Sequence, residues 1–380
     1  MTESNSVRVS LVQRTDFDTA ATLDMLVLRG TGQTMRNRVQ YLQSQTLRTD
    51  ADVQDIARVG ASVSGSLPTE LVFPVANEAL WFLMRAALRA TETAAATQVT
   101  GVTCTSSVLS GGSGNVETGV EVGDIVRVLT SADAKHGVGY FKVSAINAGT
   151  HTVTLEGSPA NGASLKVLRG ARMKGGTERY FYDIEVGRVD GDLYELFEKC
   201  PVDTMEITVA DQAITTCNFG LLGVTSQRDA AATMCVSHTD PTAGTVMDCL
   251  GVPVFHVGGA AFSARSFGLS LANNIRARTE IGTLGTTGFS WGQRQITTRI
   301  STYIDNWDHV TNYTSNLDTD LWFVLEDAAG KALAFSIPAM KWTELGADTR
   351  GLNQDDYLEG TGQAKADSTE GCSIRMVRWV

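Results

Sequence analysis

The sequence is poor in most of what a membrane protein, a disulfide scaffold or a hydrolase needs. No apolar run approaches the roughly 18–20 residues that span a bilayer. The opening "MTESNSVRVS" lacks the apolar core of a secretory signal, so a soluble product made in a cytoplasm is expected. The six cysteines, Cys104, Cys200, Cys217, Cys235, Cys249 and Cys372, show no C-x-x-C spacing; reduced, buried thiols are expected rather than disulfides. Without a secretory route, the acceptor triplet Asn312-Tyr313-Thr314 is incidental. A basic stripe is also missing: 31 Lys and Arg stand against 42 Asp and Glu, for a net charge of −11. A protein that grips phosphates draws its affinity from Lys and Arg, so tight nucleic-acid binding is excluded. Proline is scarce (7) beside 37 glycines, a balance that favours strands, turns and bulges over rigid linkers. No repeat of about 20–50 residues is present, which excludes a solenoid or propeller.

Chemistry-bearing patterns are as thin. The five histidines, His136, His151, His238, His256 and His309, are scattered without H-x-x-x-H spacing, so no metal site is expected. "GFSWG" (Gly288–Gly292) fits the serine-elbow pattern around Ser290. That elbow requires a strand before the serine, a helix after it, and an acid and then a histidine downstream. Here a Gly/Thr stretch precedes Ser290, a strand follows, and the one downstream histidine is His309; a tight inter-strand loop is the better reading. "LDTD" (Leu317–Asp320) lies in an acidic stretch but lacks the glycine and glutamate of a calcium loop. "GGSGNVETG" precedes no helix and so makes no phosphate cradle. The sequence therefore points to no catalytic residue, no enzyme and no cofactor.

What is present is β-structure. With 43% hydrophobic and 19% charged residues the chain can build cores. From Val59 the odd positions run Val59, Ala61, Val63, Gly65, Leu67, Thr69, Leu71, Phe73, while the even ones are small or polar, Gly60, Ser62, Ser64, Ser66, Pro68, Glu70. This is period-two alternation, longer than the ordinary strand of about 5–6 residues, and Pro68 suits an edge or bend. A long polar section, Arg29–Arg58, precedes it. "NEALWFLMRAALRA" (Asn77–Ala90) is the one good helix, with Asn77 as its cap and Leu80, Leu83, Met84, Ala87 and Leu88 on one face. Thr91–Gly114 is Thr/Ser/Gly-rich and weakly structured. "VGDIVRVLT", "GYFKVSAINAGTHTVTLEG" and "SLKVLRG" then give short strands with hairpin turns, a separate small β-unit. "DTMEITVA", "SFGLSLANNIRARTEIG", "RQITTRISTYI", "LWFVLEDAAGKALAFSIP" and "CSIRMVRWV" continue as strands.

Together, "YLQSQTLRTDADVQDIARVGASVSGSLPTELVFP" followed by "NEALWFLMRAALRA" resembles the opening of the tail tube (major tail) proteins of long-tailed bacteriophages. "GDIVRV" with "GYFKVSAI" is similar to the small inserted β-domain of some members, and "LYELFEKCPVDTMEITVADQAITTCNFGLLG" resembles the family's return strands. The chain departs from the family at Glu198-Lys199-Cys200-Pro201, where glycine is usual. The resemblance implies a mainly β fold: a tail-tube-type β-sandwich or barrel with one short helix over residues 1–100 and 171–380, and a small inserted β-domain over 101–170 on the outer surface. It implies a structural virion protein, a siphovirus major tail protein made in the host bacterial cytoplasm. Homohexameric rings would stack into the tube that conducts genomic DNA during ejection. Its partners would be further copies of itself, the tape measure, tail terminator and distal tail proteins, and DNA in passage without specific binding; no membrane is involved. The insert favours a non-contractile tail. The Arg29–Arg58 section becomes the loop to the neighbouring ring, with Arg48, Asp50, Asp52, Asp55 and Arg58 as its charged contacts. Glu70, Glu206 and Glu280, on the polar sides of alternating strands, become the acidic lining of the lumen. The competing reading is a β-sandwich binding module, a carbohydrate- or receptor-binding tail or fibre protein.

Overall fold

The computed structural model describes residues 6–19, 21–46, 52–129, 139–157, 162–229, 233–304, 307–348 and 355–380. Within them the chain is mainly strand, arranged as two sheets, a closed barrel and a small hairpin. The large sheet has 14 strands, and its main path runs from Ala260–Ala261 at one edge to Arg36–Gln43 at the other. Its centre is antiparallel: Val202–Ala210 lies between Thr216–Gly223 and Ser266–Ala272, and Gln295–Tyr303 follows. The second sheet has six strands, with Val7–Gln13 between Tyr182–Arg188 and Asp24–Leu28.

The alternating patterns decide which face is buried. Met205 and Ile207, Cys217 and Phe219, Leu269 and Leu271, and Ile296 and Ile300 all turn to one side and join one core. Leu11, Ile184, Val186 and Phe197 of the six-stranded sheet enter the same core, so the two sheets form a sandwich. The long strand Ile56–Glu70 contributes Val63 and Leu67. Gly65 is required there because the backbone of Met35 crosses directly over it and leaves no room for a Cβ. Pro68 occurs where the strand has outrun its neighbour, whose pairing ends at Ser64, so no ladder donor is lost.

The helix spans Ala79–Leu88 and is buried almost all round. Asn77 is not its cap: it adopts φ 64°, a left-handed conformation that asparagine tolerates, and Glu78 takes the cap position without a side-chain bond to the helix. Tyr182 Oη donates to the Phe82 carbonyl (2.8 Å) and Asn273 Nδ2 to the Ala87 carbonyl (3.0 Å), tying the helix to both sheets.

Three sequence expectations change. Thr91–Gly114 is not weakly structured: it supplies the strands Ala96–Thr105 and Val108–Ser110. Bulges along the partner strand Gly162–Arg169 break the period, which hides the inward set Val99, Val102 and Cys104. Arg29–Arg58 is not a loop. Arg36–Gln43 pairs antiparallel with Ile56–Ser64, from Arg36 opposite Ser64 to Gln43 opposite Ile56. Finally, "SFGLSLANNIRARTEIG" is not one strand. It breaks after Ala272, where Asn273 turns inward to the Val202 carbonyl (3.2 Å) and Asn274 takes φ 51°. Arg276–Thr279 then forms a separate hairpin with Thr286–Ser290.

The barrel closes through six strands within Ala96–Arg169 around its own core of Val99, Val102, Val126, Val128, Val143 and Val153. All six cysteines are free thiols; five are buried and Cys249 is half-buried.

Candidate functional site: a polar sheet face and an exposed arm

Opposite the core, the large sheet presents a face of small and polar side chains. One row across it reads Pro68, Asn218, Glu206, Ser270, Thr297, Gln363 and Lys341; the next reads Glu70, Thr216, Thr208, Gly268, Arg299, Thr361 and Glu344. The period of two makes this face inevitable once Met205, Ile207 and their neighbours are buried. Glu206 is exposed and Glu70 half-buried on it, and Glu359 lies one row further along. In these rows and with Glu359, the carboxylates Glu70, Glu206, Glu344 and Glu359 outnumber the cations Arg299 and Lys341. Glu280 is elsewhere. It follows Arg276–Thr279 at the turn of the separate hairpin and is exposed beside Ile281, because the strand that was to carry it ends at Ala272.

At the sheet edge, Arg36–Gln43 and the first half of Ile56–Glu70 project as a two-stranded arm exposed on both faces. Tyr41 is 59%, Leu42 56% and Ile56 61% exposed, well outside what a finished surface concentrates on one ribbon. Asp52, Asp55 and Arg58 lie exposed on this arm or its tip. Asp55 accepts from the Ile56 amide (2.8 Å), and its carbonyl accepts from Ser44 N (2.9 Å). Arg48 and Asp50 lie outside the described residues. The arm's base is held by the Ala61 amide on the Leu284 carbonyl (2.7 Å) and by Asn37 on Ser226 (3.2 Å). Sequence reasoning did not single out Tyr41, Leu42 and Ile56 as an exposed apolar set. The alternation of "RNRVQYLQ" was the available signal, obscured because neither face of the arm is buried.

The seat of the barrel is a second feature that sequence reasoning missed. Ile125 and Tyr140 of the barrel pack on Trp322, Val324, Ala332, Ala334, Val377 and Trp379 of the large sheet. Around this patch, Arg127 pairs with Glu326 (2.8 Å), Lys142 with Asp320 (3.1 Å) and Glu370 (3.4 Å), and Arg375 with Asp124 (3.1 Å) and Glu370 (3.5 Å). Arg375 is fully buried. Burial alone pushes the Lys142 ammonium down, but Asp320, Glu156 and Glu370 together hold it above its ordinary value. Burial raises the Glu370 carboxyl, with Lys142 and Arg375 opposing. The signal was a cation inside an apolar strand: "IVRVL", "YFKV" and "IRMVRW".

The suspected chemical motifs are used structurally. Ser290 Oγ accepts from Arg278 Nε (2.7 Å), a donor that cannot serve as a base. His309 stacks edge-on against Phe262 (4.9 Å between centroids). In "LDTD", Asp318 pairs with Lys365 (2.5 Å), and Asp320 is taken by Lys142.

The family model described as "Phage tail tube protein" matches residues 4–367. No curated protein matches the chain.

Proposed function

Because the chain belongs to the phage tail tube protein family, and is thus a structural protein of the virion tail, we propose that its copies close into homohexameric rings and stack into a DNA-conducting tube. The observation that carries this reading is the large sheet, buried on one face and faced on the other, over seven strands, with small and polar side chains among which carboxylates outnumber cations. A ring of such sheets gives a continuous smooth wall. Its two ends, the Ala260–Ala261 strand and the Arg36–Gln43 arm, are edges without a further strand among the described residues, of the kind that recruit another chain. A head-to-tail contact between different edges closes into a ring when the rotation allows.

Glu70 and Glu206 are then lumen carboxylates, repeated around every ring, and Glu280 a carboxylate on a flanking hairpin. Repetition turns a small repulsion into a lining that keeps phosphates from adhering. The arm carries the contact to the next ring, with Asp52, Asp55 and Arg58; Arg48 and Asp50, which lie outside the described residues, belong to the same proposed contact by sequence. Its mixed charges set register, and its exposed Tyr41, Leu42 and Ile56 supply the apolar burial. The barrel decorates the outside of a long non-contractile tail. Assembly takes place in the bacterial cytoplasm with the tape measure, terminator and distal tail proteins.

Electron microscopy of the purified chain tests the assembly: hollow tubes of six-fold rings are expected. A species that remains monomeric at all concentrations and salts overturns the reading. Glu70→Lys with Glu206→Lys should leave the tubes intact and slow DNA ejection, most at low ionic strength where screening is weakest.

A further inference from the structure

Away from the sheet face and the arm, the six-stranded sheet gathers a further set of ionisable side chains. Glu185, on the strand Tyr182–Arg188, is fully buried. His238 Nε2 lies 3.2 Å from Glu185 Oε1. Cys235, 9% exposed, completes the group, and one donor atom from each of Glu185, Cys235 and His238 lies within 4.8 Å of the others. We propose that Glu185, Cys235 and His238 bind a zinc ion that fastens the segment Thr233–Thr239 to the edge of this sheet.

The donor set selects the metal class. A thiolate, an imidazole and a carboxylate suit zinc, whereas calcium and magnesium require all-oxygen sites. Charge supports the same choice. When zinc binds, Cys235 gives its proton to solvent, and the thiolate and the Glu185 carboxylate together cancel the ion's two positive charges. The buried site is left neutral, which a buried site requires. The surroundings are ordered as ligand supports usually are. Thr233 Oγ1 donates to Glu185 (2.9 Å) and accepts from the Cys235 amide (3.2 Å), and the Met234 amide donates to Glu185 Oε2 (2.8 Å). Met25 Sδ lies 3.0 Å from Cys235 Sγ and closes the inner side.

The local fold gives the ion a task. Ser237–Thr239 is a three-residue strand, paired in parallel with Asp24–Leu26 and with no second strand among the described residues, and the intervening Val236 is 76% exposed. Such a short edge strand has little burial to hold it. The histidine spacing in the sequence gave no hint of this site, because one ligand comes from Glu185, some fifty residues upstream; Cys235-x-x-His238 is the local half of it.

The test uses the full chain, reduced, stripped with EDTA and titrated with zinc or cobalt. One equivalent should bind per chain, and the cobalt form should show thiolate-to-metal charge transfer with the intense visible bands of tetrahedral coordination. Cys235→Ser should abolish the charge transfer. His238→Gln should weaken binding at least about 100-fold, while Cys249→Ser, at a half-buried thiol elsewhere, leaves both unchanged. Zinc should raise the melting temperature of the wild-type chain over EDTA and leave that of Cys235→Ser unmoved. Should Cys235→Ser fail to fold, the wild-type stoichiometry and cobalt spectrum decide by themselves. Substoichiometric binding, or cobalt bound without sulfur charge transfer, overturns the proposal.

Discussion

The barrel and the arm both leave the sandwich, yet they are built in opposite ways. The barrel is seated on Trp322, Val324, Val377 and Trp379, with fully buried Arg375 and the ion pairs of Arg127 and Lys142 around it. The arm keeps Tyr41, Leu42 and Ile56 in solvent on a ribbon with neither face covered. The first contact is completed within one chain. The second has backbone order but no apolar burial of its own, which is why the proposed assembly places another copy against it. The difference separates what folding must hold from what assembly must hold.

The largest effect should come from removing the barrel. Its closed strands and separate core suggest a separable unit, but its seat on the large sheet is apolar. Excising residues 96–169 with a short Gly/Ser bridge uncovers Trp322 and Trp379, each under 4% exposed in the intact chain. Insoluble or misfolded protein is expected. In the single-site version, Trp379→Ala should lower stability by about 3–5 kcal/mol in denaturant unfolding. A soluble deletion with the wild-type transition would reduce the barrel to an appendage and dissolve the comparison.

Next in size is Arg375→Met. It removes the cation that bridges Asp124 and Glu370, leaving Arg172 as the ion-pair partner of Asp124 and Lys142 as that of Glu370 among the described residues. A loss of about 1–3 kcal/mol is expected, the range for a buried polar group that loses one partner. Replacing Arg375, Asp124 and Glu370 together by apolar residues should restore most of it, because the desolvation cost goes with the charges. If the single and triple variants lose equally, the network is held by packing and not by charge.

On the arm the expectation reverses. Leu42→Asp with Ile56→Asp should change the unfolding transition by no more than about 0.5 kcal/mol per site, as exposed substitutions do. Tube formation, followed by sedimentation and microscopy, should fail. An assembled double variant would remove the arm from the contact; an unfolded one would mean that these side chains are buried within a single chain.

Much of this contrast was legible beforehand, and the rest was hidden for identifiable reasons. The alternation of Met205, Ile207 and Val209 placed their strand and its faces correctly, because one buried face imposes a strict period. The polar face carrying Glu70 and Glu206 followed from the same rule. Glu280 did not, since the break at Asn273 depends on tertiary bonds to the Ala87 and Val202 carbonyls that no local pattern encodes. The arm lacked a buried face and so lacked the signal. The barrel's first strands were masked by bulges, and its seat by pairings between residues up to about 250 positions apart, as with Arg375 and Val122.

The finest test uses protons, which reach the seat but have no histidine to act on in the arm. His256 stacks on Trp322 with 4.5 Å between ring centroids. Burial lowers its pKa below the ordinary value, with Asp320 opposing. A depressed histidine favours the neutral form in the folded state. Its contribution is therefore complete above the unfolded value of about 6.5 and is lost as pH falls through the lower folded value. Glu156 and Glu370 act with the opposite sign: burial raises both, so the folded state takes up protons more readily and acidification relieves buried charge. The net slope of stability between pH 7.5 and 5 is then a difference of two opposed terms. Subtraction isolates one of them. The melting temperature of His256→Gln should fall less over this range than that of the wild-type chain, a small change because the ring is partly open to solvent. The Leu42→Asp, Ile56→Asp arm variant should keep the wild-type slope. A His256→Gln slope as steep as wild type or steeper would remove His256 as the source of the acid sensitivity, and a changed slope in the arm variant would show that the two regions are coupled.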